Sequence, residues 1–151
     1  KQTDKQLYHD LVHQAKEADV HFLDSLPEDI SAQYRLVVDA IFGFSFKPPV
    51  RPQFQPILES LTRGNVPLIS VDIPSGWDVE AGPPEGEVTP VLQPDMLVSL
   101  TAPKLGSRGF RGAHYLGGRF VPRKLADKYK LDLPEYPGTD LVVKLSEHEE
   151  L

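Results

Sequence analysis

The chain has 151 residues, about the length of one domain, with room for a hydrophobic core. Hydrophobic residues make up 40% of it, so a globular domain is expected rather than a disordered segment. With 16 Lys and Arg against 22 Asp and Glu, the net charge of −6 argues against binding nucleic acid through its phosphates. No apolar run reaches the ~20 residues of a transmembrane helix. The absence of cysteine excludes disulfides, thiolate nucleophiles and cysteine-bound zinc.

The chain begins at Lys1 directly in a helical pattern, and we expect it to be the remainder of a longer protein. Within this first helix, His9 and His13 have the spacing of a zinc-protease helix, but they project away from the apolar face and no third ligand follows. An exposed helical face is therefore the favoured interpretation. Residues 20–23 are a candidate strand, and a polar loop follows at 27–31. The apolar face of the predicted helix consists of Leu7, Tyr8, Leu11, Ala15 and Ala18.

Continuous apolar runs at residues 36–43 and 68–73 predict two buried strands, the first of them covered on both faces. Between them, Pro52 and Gly64 bracket a predicted helix whose apolar positions are Phe54, Ile57, Leu58 and Leu61. Strand, helix and strand at this spacing predict a βαβ crossover in a parallel sheet, hence an α/β layered fold.

The rest of the chain completes one domain over residues 1–151, without internal repeats. Further strands are predicted at 96–100, 115–121 and 141–145, and a short helix at 122–129. Residues 80–94, rich in Gly, Pro and Glu, are predicted to form a surface loop. Basic residues at 104–111 and 119–130 are interpreted as a solvated charged face, and His21 and His114 have no evident partner.

Two aspartates, Asp39 and Asp72, stand near the ends of the two buried strands, one βαβ unit apart, so the strands are expected to be neighbours. Ligands bind beyond the carboxyl ends of parallel strands, where two close carboxylates repel unless one takes up a proton or a cation shields both. For either Asp alone, hydrogen bonding to loop N–H groups is the plainer interpretation. Each aspartate is followed by a loop that contains a glycine, Gly43 or Gly76, and the N–H groups of such loops can bind an anion. The two aspartates taken together therefore favour a functional site.

Four longer segments, in the same order along the chain, resemble one known family. They are residues 37–47 (VVDAIFGFSFK), 71–79 (VDIPSGWDV), 100–104 (LTAPK) and 114–122 (HYLGGRFVP). On these segments the chain resembles the YjeF N-terminal domain family. The resemblance implies a Rossmann-like three-layer α/β/α sandwich with a mainly parallel sheet, N-terminally truncated here, in a protein that forms a homodimer.

The resemblance also implies isomerase chemistry: interconversion of the R and S forms of hydrated NADH or NADPH, so that a partner dehydratase can repair the cofactor. By motif position, Asp39 and Ser75 resemble potassium ligands, and oxygen ligands suit such a hard ion. Asp72 resembles the carboxylate that contacts the substrate, and apolar surroundings would suit it to acid or base work during epimerisation. The loop that embraces the substrate is matched by Gly43, Phe44, Ser45, Phe46 and Lys47.

The chain departs from the family pattern in two places. The family's Gly- and Asn-rich loop after its first long strand has no match here, and Pro48-Pro49 stand where a Gly and a polar residue are usual. Proline has no N–H to offer a phosphate, so this change is expected to impair nucleotide binding. Retention of Asp39, Asp72 and Ser75 instead favours the epimerase.

The departures leave other functions open beside the enzyme. The main alternative is a non-catalytic protein that binds apolipoprotein A-I on high-density lipoprotein and promotes cholesterol efflux. Family members that this chain resembles are associated with that role. A truncated isoform without stable function is a third interpretation. Relatives occur in mitochondria, in the cytosol and as secreted proteins, and the sequence does not choose among these compartments.

Overall fold

The structure, a computed structural model, describes residues 4–86 and 90–145. Its four α-helices are α1 (Gln6–Glu17), α2 (Ile30–Gln33), α3 (Gln55–Arg63) and α4 (Arg123–Tyr129). Its five strands are β1 (Val37–Asp39), β2 (Leu68–Val71), β3 (Met96–Leu100), β4 (Ala113–Gly117) and β5 (Val142–Lys144). Short 3₁₀ helices at Pro52–Phe54 and Leu105–Ser107 complete the elements.

The strands form one sheet in the order β1-β2-β3-β4-β5. The first four strands are parallel to their neighbours and β5 is antiparallel to β4. The crossover from β1 to β2 contains α3, as expected for parallel neighbours that need a long connection. A Rossmann-like α/β fold with a mainly parallel sheet, predicted from the sequence, is therefore confirmed.

The core lies on one face of the sheet. Leu58 of α3 is fully buried and belongs to one apolar cluster with Leu68 of β2 and with Val50 and Leu92 from connecting segments. The amphipathic spacing of α3 puts this leucine on its inner side, and Pro56 stands in the first turn, where a missing N–H costs no helical hydrogen bond. Packing of Leu58 against Leu68 thus fixes α3, the helix of the crossover, on the core face of the sheet.

Two expectations about the first half of the chain are wrong, and a third is correct only in part. Residues 20–23 form no strand, and Val20, Phe22 and Leu23 are exposed. The predicted polar loop at 27–31 is present at residues 27–29 and is followed by the single turn of α2, whose N-cap Asp29 accepts a hydrogen bond from the Ala32 N–H. The run at 36–43 yields only three strand residues and is not covered on both faces, since Val38 is 57% exposed.

The predicted surface loop at 80–94 is only partly at the surface. Leu92 is fully buried in the core cluster, and its carbonyl accepts a hydrogen bond from the indole Nε1 of Trp77 at 3.0 Å. Residues 87–89 of this prediction lie outside the described residues. The later strands and the short helix are found within a few residues of their predicted bounds. None of the helices in the described parts of the chain is long and apolar enough to span a membrane.

Candidate functional site

The carboxyl ends of β1, β2 and β3 lie side by side at one edge of the sheet, because these strands are parallel. Asp39 is the last residue of β1 and Asp72 directly follows β2. The two aspartates therefore belong to neighbouring strands, as the sequence predicted. Asp72 and Thr101, which follows β3, both have positive φ angles, of 74° and 69°. Side chains other than glycine rarely adopt this left-handed conformation, and such residues cluster at functional sites.

Asp39 is a buried carboxylate surrounded by neutral donors. It is 1% exposed. Its Oδ2 accepts hydrogen bonds from the Ser70 hydroxyl and the Ser75 N–H, both at 2.8 Å, and its Oδ1 accepts from the Ile41 N–H at 3.3 Å. No Lys, Arg or His among the described residues forms an ion pair with it. Three neutral hydrogen bonds thus hold a carboxylate whose charge lacks a side-chain counter-ion.

Ser75 links the loop after β2 to the loop after β1. Its hydroxyl oxygen accepts a hydrogen bond from the Phe42 N–H at 3.0 Å, while its own N–H goes to Asp39. Ser75 is completely buried, as is the adjoining Pro74. Both predicted potassium-ligand residues therefore lie together at this edge.

Asp72 is held at both of its carboxylate oxygens. Oδ2 accepts a hydrogen bond from the Phe44 N–H at 2.7 Å, and Oδ1 forms an ion pair with the Lys104 ammonium. The side chains of Asp72 and Lys104 are 15% and 13% exposed. An ammonium group and a backbone N–H thus compensate the charge of this carboxylate.

Gly43 approaches this carboxylate so closely that no larger residue fits without a shift. A Cβ atom built at position 43 would lie 2.8 Å from the Asp72 Oδ2. The glycine thus lets the loop backbone pass against the carboxylate and present the next N–H, that of Phe44, to it.

The amides of the loop after β1 serve the site's own side chains. The N–H groups of Ile41, Phe42 and Phe44 donate to Asp39, Ser75 and Asp72 respectively. Hydrogen bonds from loop N–H groups to each aspartate, the plainer interpretation of the sequence, are therefore present. They connect the acidic residues to one another through a single backbone segment.

The remaining residues of the predicted substrate loop line its outer part. Phe46 stacks on Phe42 with ring centroids 4.5 Å apart, whereas Phe44 is 72% exposed. Ser45 and Lys47 are exposed. The charge of Lys47 makes a small contribution to lowering the pKa of Asp78, which is lowered mainly by hydrogen bonds from the Ala81 and Glu80 N–H groups. The Phe44 ring and the Lys47 side chain of this loop are thus both exposed to solvent.

Lys104 is the residue that sequence reasoning missed, since it was assigned to a solvated charged face. The signal was its place in Thr101-Ala102-Pro103-Lys104, directly after β3, because residues following parallel strands gather at one edge. His114 was also misjudged. It lies in β4 and has a partner, because its Nε2 is 2.9 Å from the hydroxyl oxygen of buried Ser99.

The donor chemistry at Asp39 and Ser75 fits a monovalent cation. A buried carboxylate without a counter-ion and an adjacent hydroxyl oxygen are the hard oxygen ligands that such an ion prefers. Within the described ranges 4–86 and 90–145, no cluster of three or more His, Cys, Asp or Glu has the arrangement of a metal site. Of the N-terminal histidines, His9 contacts Asp4 at the exposed surface, and His13 is exposed as well.

Comparisons with known proteins agree on one family. The family profile described as "YjeF-related protein N-terminus" matches residues 1–106. The chain is 52% identical over 149 residues to NAD(P)H-hydrate epimerases of Anopheles gambiae and Aedes aegypti, covering 97% of this chain and 64% and 63% of those proteins. It also resembles the crystal structure of a yeast protein, ynu0, with a TM-score of 0.80 and 41% identity. That match covers 94% of this chain and 61% of the yeast chain.

The chain thus spans less than two thirds of the length of these relatives. The family match covers both strands that carry the acidic residues, and it includes Lys104. By sequence and by fold, the chain belongs to the YjeF-related N-terminal domain family.

Proposed function

We propose that the full-length protein is an NAD(P)H-hydrate epimerase that acts at the carboxyl edge of β1, β2 and β3. The observation that carries this proposal is the Asp72 carboxylate, held at both oxygens beside the Gly43 loop. A carboxylate that is fixed in place and still partly exposed is the kind of group that can move a proton on a bound substrate. The names of the relatives support hydrated NADH or NADPH as that substrate.

Inverting the hydrated carbon requires a bond to that carbon to break and reform on the opposite face. In one route the hydroxyl group leaves as water after taking up a proton, and a water molecule then adds to the opposite face and gives a proton back. In the other, a base removes the hydroxyl proton while the bond from carbon to the ring nitrogen breaks and its electron pair goes to nitrogen. Closure on the other face then returns the proton to oxygen. Both routes leave the proton count unchanged.

The ion pair with Lys104 favours the ring-opening route. A carboxylate already paired with an ammonium group is a base, whereas expulsion of the hydroxyl requires a protonated acid. In our proposal the Asp72 carboxylate removes the hydroxyl proton and later returns it. Epimerisation in heavy-oxygen water distinguishes the routes: loss and return of the hydroxyl incorporates solvent oxygen at every inversion, while ring opening with prompt closure retains the original oxygen.

Potassium is part of the proposal for the deeper half of the site. Asp39 and Ser75 would hold the ion, which would supply positive charge beside the nucleotide. Gly43, Phe44, Ser45, Phe46 and Lys47 would embrace the substrate, the exposed Phe44 ring and Lys47 ammonium being the groups open to it. Nucleotide binding that strengthens with added KCl, but not with LiCl at equal ionic strength, is the expected result.

The experiment that tests the activity uses the full-length protein and a single purified epimer of hydrated NADPH. Conversion to the other epimer, followed by chromatography, should be much faster than in buffer or with heat-denatured protein. Interconversion no faster than in those controls would overturn the proposed function. Binding of apolipoprotein A-I and formation of a homodimer stay predictions of the sequence analysis, and no contact among the described residues favours either.

A further inference from the structure

Lys104 is a partly buried cation whose hydrogen-bonding capacity is fully used. Besides the ion pair with Asp72, its Nζ donates to the carbonyl oxygens of Leu100 at 2.9 Å and Ala102 at 3.2 Å. An ammonium group has three N–H donors, and each has one acceptor here. The side chain is therefore fixed over the end of β3 rather than solvated.

We propose that Lys104 is a positioning residue that keeps the Asp72 carboxylate aimed at the substrate. This inference rests on the proposed function and adds a residue to which no role was assigned by the sequence motifs. Lys104 acts through Asp72, whose carboxylate does the chemistry.

The Asp72 carboxylate is held at each of its two oxygen atoms by a different loop. The Phe44 N–H holds Oδ2 from the loop after β1, and Lys104 holds Oδ1 from the loop after β3. A single hydrogen bond would leave the carboxylate free to rotate about its side-chain torsions, whereas two partners on different strands fix its plane. Loss of orientation by about 1 Å at a reacting group costs on the order of a hundredfold in rate.

The backbone around the pair is arranged for this contact. Asp72 and Thr101 both adopt the left-handed conformation, so the chain turns sharply after β2 and after β3. Neighbouring parallel strands place these two turns next to each other. Two unfavourable backbone conformations are thus retained where the carboxylate and the ammonium group meet.

The first test compares full-length variants in the epimerisation assay. Lys104→Met keeps the length of the stem but removes the charge, and kcat should fall about a hundredfold while KM changes less than about threefold. Lys104→Arg restores the charge and should recover most of the lost kcat. Lys124→Met, at an exposed position of α4, is the matched control and should match the wild type. An unchanged kcat in Lys104→Met would overturn the proposal.

A double variant asks whether Lys104 acts through Asp72. If it does, Asp72→Asn combined with Lys104→Met should be no slower than Asp72→Asn alone, because the group to be positioned is already gone. Independent effects that multiply in the double variant would contradict a positioning role.

A readout without substrate separates this inference from the proposed function. In amide NMR spectra of the full-length protein, the Phe44 N–H resonance should lie downfield because of its hydrogen bond to a carboxylate. It should move upfield in Lys104→Met but not in Lys124→Met. If the wild type does not epimerise, the proposed function fails, and this resonance alone decides whether Lys104 positions Asp72. A Phe44 resonance at the same chemical shift in Lys104→Met and wild type would refute the proposal that Lys104 positions the Asp72 carboxylate.

Discussion

The carboxyl edge of the sheet and the N-terminal helix are built in opposite ways. At the edge, Asp39 and Ser75 are almost completely buried and every buried polar side-chain atom of the described residues has a hydrogen-bond partner. In α1, by contrast, no residue is buried, and Leu7 and Leu11 are 65% and 49% exposed. The helix has an apolar face of the right period but no element of the described residues covering it.

The difference separates two sources of local order. The edge is held by hydrogen bonds between loops that are distant in sequence, so its geometry depends on tertiary structure. The helix α1 depends on its own backbone hydrogen bonds and helix propensity, which stabilise an uncovered helix only marginally. Matched substitutions in the two regions of this chain should therefore have very different effects on stability.

The largest effect is expected for the buried carboxylate. Asp39→Ala leaves the Ser70 hydroxyl and the N–H groups of Ser75 and Ile41 without their acceptor, which should lower the free energy of unfolding by about 4 kcal/mol. Asp10→Ala in α1 removes only an exposed contact with Gln6 and should change it by less than about 0.5 kcal/mol. Urea denaturation monitored by circular dichroism measures both changes. Equal losses in the free energy of unfolding would contradict the proposed difference between the two regions.

A comparison of leucines tests the same contrast without charge. Leu58→Ala leaves a cavity between α3 and β2 and should cost about 3 kcal/mol. Leu11→Ala removes a side chain that is half exposed and should cost less than about 0.5 kcal/mol. The unfolding midpoints of the two variants in urea give the answer. If Leu11→Ala cost as much as Leu58→Ala, α1 would have to be packed after all.

A smaller effect, on activity rather than folding, is expected at Gly43. In Gly43→Ala the new methyl group meets the Asp72 Oδ2, so the loop or the carboxylate must shift. We expect kcat/KM of the full-length protein to fall about tenfold, or about 1.4 kcal/mol in transition-state binding. Gly109→Ala, where nothing lies within 4 Å of the added Cβ, is the control and should be unaffected. Full activity in Gly43→Ala would show that the close approach has no part in the chemistry.

The smallest effect concerns the cap of α2. Hydrogen bonds from the Ser31 hydroxyl and the Ala32 N–H lower the pKa of Asp29 below its ordinary value of 3.8. A lowered pKa in the folded state means that the stabilisation is present above pH 3.8 and is lost as the pH falls through the lowered value. The melting temperatures of wild type and Asp29→Asn should therefore differ at neutral pH and converge in acid. Ser31→Ala removes the hydrogen bond that lowers the pKa of Asp29 most, so it should weaken this pH dependence. If the melting temperatures of wild type and Asp29→Asn differed by the same amount at every pH, the explanation would be contradicted.

Local sequence patterns predicted a helix or strand correctly where its hydrophobic periodicity or a single apolar run was enough to identify it. The spacing of Leu58 and its neighbours located α3, and the apolar runs located β2 and β3. Residues 20–23 were misassigned because an apolar run describes a strand only if another strand pairs with it. The prediction that β1 is covered on both faces was wrong for a similar reason. Whether a strand face is covered depends on which elements pack against it and not on the composition of the strand.

For the candidate site, the acidic residues were predictable and their partners were not. Asp39 and Asp72 follow apolar runs, so their placement at one edge follows from parallel pairing. The ion pair between Asp72 and Lys104 joins loops after two different strands and depends on the left-handed turns at positions 72 and 101. Spacing in the sequence carries no sign of those turns, because neither residue is a glycine.

The central claim is that the Asp72 carboxylate performs the chemistry at this edge. It is tested most directly by the epimerisation rate of full-length Asp72→Asn, which keeps the size and shape of the side chain but removes its charge. We expect a fall of at least about a thousandfold in kcat while circular dichroism shows that the variant is still folded. A variant that interconverts the two epimers of hydrated NADPH at the wild-type rate would contradict it.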